Sequence, residues 1–266
     1  LGFRFAILIF FFHLSIGIGS AQEVTCLKCH QPHYETAGEC VDCHRGNPRT
    51  QRLEIAHYRL IAGRYAHFTI AGSPVVEKGR QLIKDFHCQR CHVSGDKGNR
   101  LAANLDRASV TSLPEEIFDA VKKPVVFMPD FHFSDAYIVE LVNGILANAA
   151  NAKTEIGEVP LVIHFEKDKT AEENVFVKHC GFCHRVLTSR FGGLGNSDIG
   201  PNLSGLLTEY YPPTYKEKER WNVEALEKWL KNPREIRELT QMPPQKLSVK
   251  EFKRLLKEVW DFAENI

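Results

Sequence analysis

Cys180-Gly181-Phe182-Cys183-His184 reads C-x-x-C-H. The same pattern stands at Cys26-Leu27-Lys28-Cys29-His30, Cys40-Val41-Asp42-Cys43-His44 and Cys88-Gln89-Arg90-Cys91-His92. Two thiols three positions apart reach both vinyl groups of one porphyrin, and the next residue reaches its centre. This is the attachment signature of a c-type haem. The chain has eight cysteines, and the four motifs use all of them. Zinc would take two C-x-x-C pairs per ion and would not require a histidine after each; a disulfide framework would not require one either. Cys26, Cys29, Cys40, Cys43, Cys88, Cys91, Cys180 and Cys183 are therefore the expected attachment residues of four covalent haem c groups. His30, His44, His92 and His184 are the expected proximal ligands of the four irons.

The 266 residues carry a net charge of +1, with 25% charged and 43% hydrophobic residues. That length allows one to three domains. That charge balance gives no footprint for nucleic acid and no strong steering field. Residues 1–21 stand apart: Arg4, an apolar run from Phe5 to Ile18, then Gly19, Ser20 and Ala21. This order is that of a secretory signal peptide, and the run is short of the roughly twenty residues a membrane span needs. Cleavage after Ala21 and a periplasmic location are expected; an uncleaved membrane anchor is the alternative. No second long apolar run follows. Haem attachment to C-x-x-C-H takes place outside the cytoplasm, which agrees with export.

In residues 22–72 the first two motifs are close, Cys40 following His30 by ten positions. So short a chain cannot build a separate core around each haem, so the two haems must be neighbours. No methionine lies in this region, which leaves histidines as sixth ligands. His33, His57 and His67 are available. His33, three residues after His30, is badly placed for the far face of its own haem and well placed for the haem at Cys40 and Cys43. The arrangement resembles small multihaem cytochromes, in which a histidine just after one motif serves a neighbouring haem. His57 or His67 then completes the first haem, with His57, in the helical-looking stretch from Arg52 to Ile61, the preferred one.

Gly72-Ser73-Pro74 reads as a linker, and beyond it the chain repeats. One copy runs from 73 to 152 and the other from 171 to 266, with a polar connection at 153–170. Each copy has an apolar helix leading into its motif, through Leu82, Ile83 and Phe86 or Val175, Phe176 and Val177. Each has a later Met-Pro, Met128-Pro129 and Met242-Pro243, and these are the only two methionines. With proline at about 5% of residues, chance would put Pro after both in roughly one case in 400. Ser134 and Ser248 each follow their methionine by six positions and can cap a helix. Ser248 and Glu251 have the spacing of a capping box. The next helices carry Ile138, Leu141, Val142, Ile145 and Leu146 in one copy, and Phe252, Leu255, Leu256, Val259 and Trp260 in the other. Both sets follow i, i+3, i+4, i+7, i+8, one buried helical face.

Each copy resembles a class I, single-haem cytochrome c domain. The resemblance covers about two thirds of the chain. It implies a mainly α fold: an N-terminal compact dihaem module with little regular structure, then two class I cytochrome c-like helical domains. It also implies that Met128 and Met242 are sixth iron ligands. In that family a proline carbonyl holds the proximal histidine, as Gly200-Pro201-Asn202-Leu203 could for His184. The first copy reads Ala102-Ala103-Asn104-Leu105 there and departs from the pattern. His132, four residues after Met128, is a competing ligand. His87 and His179, each directly before a motif, are expected at haem edges.

Met/His ligation raises an iron potential relative to other axial sets. The expected order is two lower-potential bis-His haems and then two higher-potential Met/His haems. Four six-coordinate irons have no open position for substrate, which makes a relay rather than a reaction centre. A close dihaem module joined to class I domains is similar to the cytochrome c subunits of membrane cytochrome b complexes that oxidise quinol. The resemblance implies such a complex as electron donor, periplasmic cytochromes or a reductase as acceptor, and membrane association through a partner or an uncleaved leader. The competing reading is a multihaem reductase or peroxidase with one five-coordinate haem, at Cys26/Cys29 or at Cys88/Cys91. With no cysteine free, thiolate-ligated haem chemistry is disfavoured.

Overall fold

The computed structural model describes residues 25–34, 36–152 and 174–260. The expected leader and the connection at 153–170 lie outside the described residues. Among the described residues the regular structure is helical apart from one small sheet. No helix among them is long and apolar enough to cross a membrane.

The first unit has a 3-10 turn at Thr25–Lys28, helix α1 (Cys40–His44), α2 (Leu53–Ala56) and a 3-10 helix at Gly63–Thr69. Neither α1 nor α2 has a buried residue, as expected where the polypeptide is too short to enclose a core of its own. The unit anchors instead through Ile61, Tyr65 and Ala66, which join the core of the next unit. Buried Asn143 fixes that join. Its amide donates to the Arg64 carbonyl at 2.8 Å, and its side-chain oxygen accepts the Phe68 N–H at 3.1 Å.

The expected linker Gly72-Ser73-Pro74 is a helix entrance, with Ser73 only 4% exposed between exposed Gly72 and Pro74. The Ser73 N–H donates to the Ile70 carbonyl, and its own carbonyl accepts the Glu77 N–H. Pro74 then opens the helix at the one place where its missing N–H costs nothing.

The second unit holds α3 (Pro74–Asp85), α4 (Ala108–Thr111), α5 (Pro114–Lys122) and α6 (Asp135–Asn151). The periodic face of α6 is buried, with Ile138, Leu141, Val142, Ile145 and Leu146 each 3% exposed or less. α3 crosses it in backbone contact. A Cβ at Gly79 would lie 1.9 Å from the Glu140 carbonyl oxygen, and one at Gly144 would lie 2.6 Å from the Gly79 carbonyl carbon. Lys78 and Glu140 pair beside the crossing at 2.8 Å.

The third unit holds α7 (Val175–His179), α8 (Val223–Lys231), α9 (Pro233–Ile236) and α10 (Val249–Trp260). Strands β1 (Val186–Thr188) and β2 (Gly192–Leu194) pair antiparallel, with Leu187 opposite Gly193. Asn174 caps α7, its side-chain oxygen accepting the Phe176 N–H at 2.8 Å. Ser248 and Glu251 form the expected box at the start of α10, with the Ser248 N–H on Glu251 at 2.9 Å and the Glu251 N–H on Ser248 Oγ at 3.2 Å. Leu255, Leu256 and Val259 then pack with Val175, Phe176, Leu226 and Leu230.

Candidate haem sites

In the first unit the histidines meet in two pairs. His30 and His57 have ring centroids 5.9 Å apart, and both line a cavity of ≈ 370 Å³ with Cys26 and Cys29. His57 reaches this place because it ends α2, its N–H bonded to the Leu53 carbonyl. His33 Nε2 and His44 Nε2 face each other at 3.4 Å. Two metal–imidazole bonds in line, of about 2 Å each, would span about 4 Å, so the two rings would part by roughly half an ångström to hold an iron between them. Cys40, Cys43, His33 and His44 line a second cavity of ≈ 410 Å³, with His67 on its wall. The two cavities share His33, Cys40, His44 and Gly63, so the two sites abut.

His44 is held by Ile61 in both directions. Its Nδ1 lies 2.9 Å from the Ile61 carbonyl, and its own carbonyl accepts the Ile61 N–H at 2.7 Å. A ring nitrogen committed to a carbonyl leaves the other as the metal-facing lone pair.

The same device recurs in both later units. His184 Nδ1 sits 2.8 Å from the Pro201 carbonyl, and His92 Nδ1 sits 2.7 Å from the Ala103 carbonyl. The departure of the first copy from Gly-Pro therefore leaves its histidine tethered, because the tether is a backbone oxygen that alanine supplies equally well. Burial pushes the His92 imidazole below its ordinary pKa, against the pull of that carbonyl, and so favours the neutral form that binds metal. Burial also pushes the Cys88 and Cys180 thiols up to about 12.

Glycines make room for these histidines. A Cβ at Gly200 would lie 2.2 Å from His184 Cε1. Gly98 and Gly195, both at positive φ, each stand where a Cβ would be 2.0 Å from the carbonyl oxygen of His92 or His184. Each is followed by asparagine, whose N–H returns to the residue after the first cysteine: Asn99 to the Gln89 carbonyl at 2.9 Å, Asn196 to the Gly181 carbonyl at 3.1 Å. The repeated Gly-Asn dipeptide is the mark that Gly98 and Gly195 leave in the sequence.

Met242 and His184 line one cavity of ≈ 450 Å³ with Cys180 and Cys183. The Trp229 indole N–H donates to the Met242 sulfur at 3.0 Å, a contact not foreseen from the sequence. Met128 packs on the core of the second unit, as Cys88 and Leu105 do. His132 turns outward, 86% exposed and 3.3 Å from Asp130. His87 Nδ1 lies 3.1 Å from the Tyr210 carbonyl of the third unit. His179 lies on the wall of the last cavity, 3.4 Å from Glu251.

The described residues fit haem c. All eight thiols are unpaired. Among the described residues no cluster of three or more His, Cys, Asp and Glu side chains could hold a bare metal ion. The three cavities lie within the size range of small-molecule sites.

Residues 74–143 match the family described as Cytochrome C oxidase, cbb3-type, subunit III. The matched stretch, which contains Cys88, Cys91, His92 and Met128, is similar to a cytochrome c domain, and this supports a c-type cytochrome. Such a domain carries covalently bound haem c and works in electron transfer. The match spans 70 of the 266 residues, so the first unit and the third lie outside it. Comparison with curated proteins and with solved structures gives no match.

Proposed function

We propose that the protein is an exported tetrahaem electron carrier. Its attachment cysteines are Cys26 and Cys29, Cys40 and Cys43, Cys88 and Cys91, and Cys180 and Cys183. The axial pairs are His30 with His57, His44 with His33, His92 with Met128, and His184 with Met242. Haem c, when bound, supplies a one-electron iron couple at each site. The chain's part is to hold each ligand at a fixed angle, close both faces of the iron and keep water out. The observation that carries this reading is the 3.4 Å approach of His33 Nε2 to His44 Nε2. It pairs the histidine of one motif with a histidine that lies three residues after the preceding motif, which would close the iron and link neighbouring sites.

The proposed electron path enters at the bis-His unit and leaves through the Met/His units, since thioether ligation raises the potential. The donor is a membrane cytochrome b complex that oxidises quinol, and the acceptor a periplasmic cytochrome or reductase. The cysteines become thioethers outside the cytoplasm, which supports a periplasmic location. A spectrally resolved redox titration tests the order. Midpoints for the methionine-ligated haems above those of the other two are expected; the reverse order would overturn the direction of flow.

A further inference from the structure

The two methionine loops are anchored differently. α5 and α8 occupy equivalent places, and each is followed two residues after its end by a proline, Pro124 or Pro233. Met242 follows its proline by nine positions and Met128 by four. The longer loop is held within its own unit: the Gln245 N–H donates to the Leu230 carbonyl at 2.7 Å, and Trp229 donates to the Met242 sulfur. The position of Trp229 is taken by Ala120 in the second unit, which has no polar group to offer Met128.

The shorter loop is bound by the third unit. The Val126 carbonyl accepts from Arg185 Nη1 at 3.2 Å, and the Phe127 carbonyl accepts from Asn202 Nδ2 at 3.0 Å. The Phe127 side chain is buried against Cys91 and Leu187. It fits there because Gly193 has no side chain, since a Cβ would lie 2.4 Å from the ring. Both donors are oriented in advance. Arg185 also reaches the Asn196 carbonyl at 3.3 Å, and Asn202 Oδ1 accepts the Ser204 N–H at 2.9 Å. Arg185 directly follows His184, and Asn202 directly follows Pro201, whose carbonyl orients His184.

We propose that Arg185 and Asn202 are positioning residues for Met128, so that the third unit completes the ligand set of the second. This rests on the reading of Met128 as an iron ligand. Two consecutive carbonyls ahead of the methionine are fixed from outside, and the loop keeps a single inward setting only while the third unit is docked. The same contacts tie the sixth ligand of one iron to the proximal ligand of the next through Phe127, Asn202 and Pro201, and hold the two sites at constant separation.

The test uses the full-length, haem-loaded protein in its oxidised state. The methionine–iron(III) charge-transfer absorption is calibrated with Met128→Ala and Met242→Ala, each expected to remove half of it. Asn202→Asp keeps the oxygen that accepts from Ser204 and removes the donor to Phe127. Combined with Arg185→Met, it is expected to remove the Met128 half, to raise a high-spin signal of one haem, and to leave the Met242 half and the helical ellipticity intact. A full native band in a folded double variant overturns the proposal. Asn202→Asp alone is expected to weaken the band and to speed amide exchange at residues 125–128, and no change in either measurement overturns the proposal too. A band unaffected by Met128→Ala shows instead that the ligand reading is wrong, and the proposal falls with it.

Discussion

Gly200 shows how much one absent side chain can decide. Its hydrogen stands where a Cβ would press into the His184 ring at 2.2 Å. Gly200→Ala is therefore expected to tilt that ring off the Pro201 carbonyl. Losing such a support costs about 10–100-fold in metal affinity or activity. The check is low-temperature EPR, in which one low-spin haem of the set should broaden or convert to high spin. Trp229→Phe removes the N–H donor to the Met242 sulfur. With Met242 as the proposed iron ligand, that donor would draw electron density from the thioether and disfavour the ferric state. Its loss is expected to lower the potential of that haem by some tens of millivolts, the scale of a hydrogen bond worth ~1 kcal/mol. Spectroelectrochemistry reads the shift, and a rise would contradict it. At this scale the four C-x-x-C-H motifs can be read directly, because the chemistry they point to needs those side chains. The tethers of His44 and His92 cannot. They are the carbonyls of Ile61 and Ala103, and a backbone oxygen leaves no mark in a sequence. Nor could spacing choose between His57 and His67. The structure sets His57 beside His30 and puts His67 on the wall of the neighbouring cavity.

Between elements, the crossing of α3 and α6 is the tightest join. Gly79→Ala would drive a Cβ onto the Glu140 carbonyl oxygen. Overpacking of this kind typically costs about 1–3 kcal/mol, occasionally more. Denaturant unfolding should show the loss as a lower midpoint with an unchanged slope. The start of α10 is expected to respond to acid. The Glu251 carboxyl is held at about 2, below its ordinary 4.5, first by the Ser248 N–H, then by the Ser248 hydroxyl and Lys178. A depressed carboxyl pKa means that the fold favours the charged form. The contribution of Glu251 is complete above its ordinary pKa and is lost as pH falls toward about 2. The protection factor of the Ser248 amide, measured against its intrinsic rate, should fall over that range in the native protein, and be low throughout in Glu251→Ala. The amphipathic faces of α6 and α10 could be read from their periods, as could the capping box. The glycine crossing could not, because a glycine within a helix reads only as a weak helix former until the neighbouring helix is in place.

At the scale of the molecule, the three units bond to one another among the described residues. Asn143 binds the first to the second, while Arg185 and Asn202 bind the second to the third. Arg45 and Arg185 each directly follow a proximal histidine, and each donates to a backbone carbonyl of the middle unit: Ser109 at 2.7 Å and Val126 at 3.2 Å. Asn143→Leu would leave the Arg64 carbonyl and the Phe68 N–H without their buried partner, at about 1–3 kcal/mol for each such group. Limited proteolysis between residues 60 and 73 should speed accordingly, while residues 175–260 stay protected. These joins were illegible in the sequence because they run between loops without period, and most end on main-chain oxygens. The recurring motif, Met-Pro and capped helix can be seen in the sequence, but not that Arg185 and Asn202 would bond to the Val126 and Phe127 carbonyls. The proposed relay depends on the closure of all four irons. EPR and optical spectra of the purified, oxidised protein, with haem content measured on the same sample, test that most directly. Four haems per chain, all low-spin and two of them methionine-ligated, are the expected result. A stoichiometric high-spin haem, or a content other than four, would contradict it.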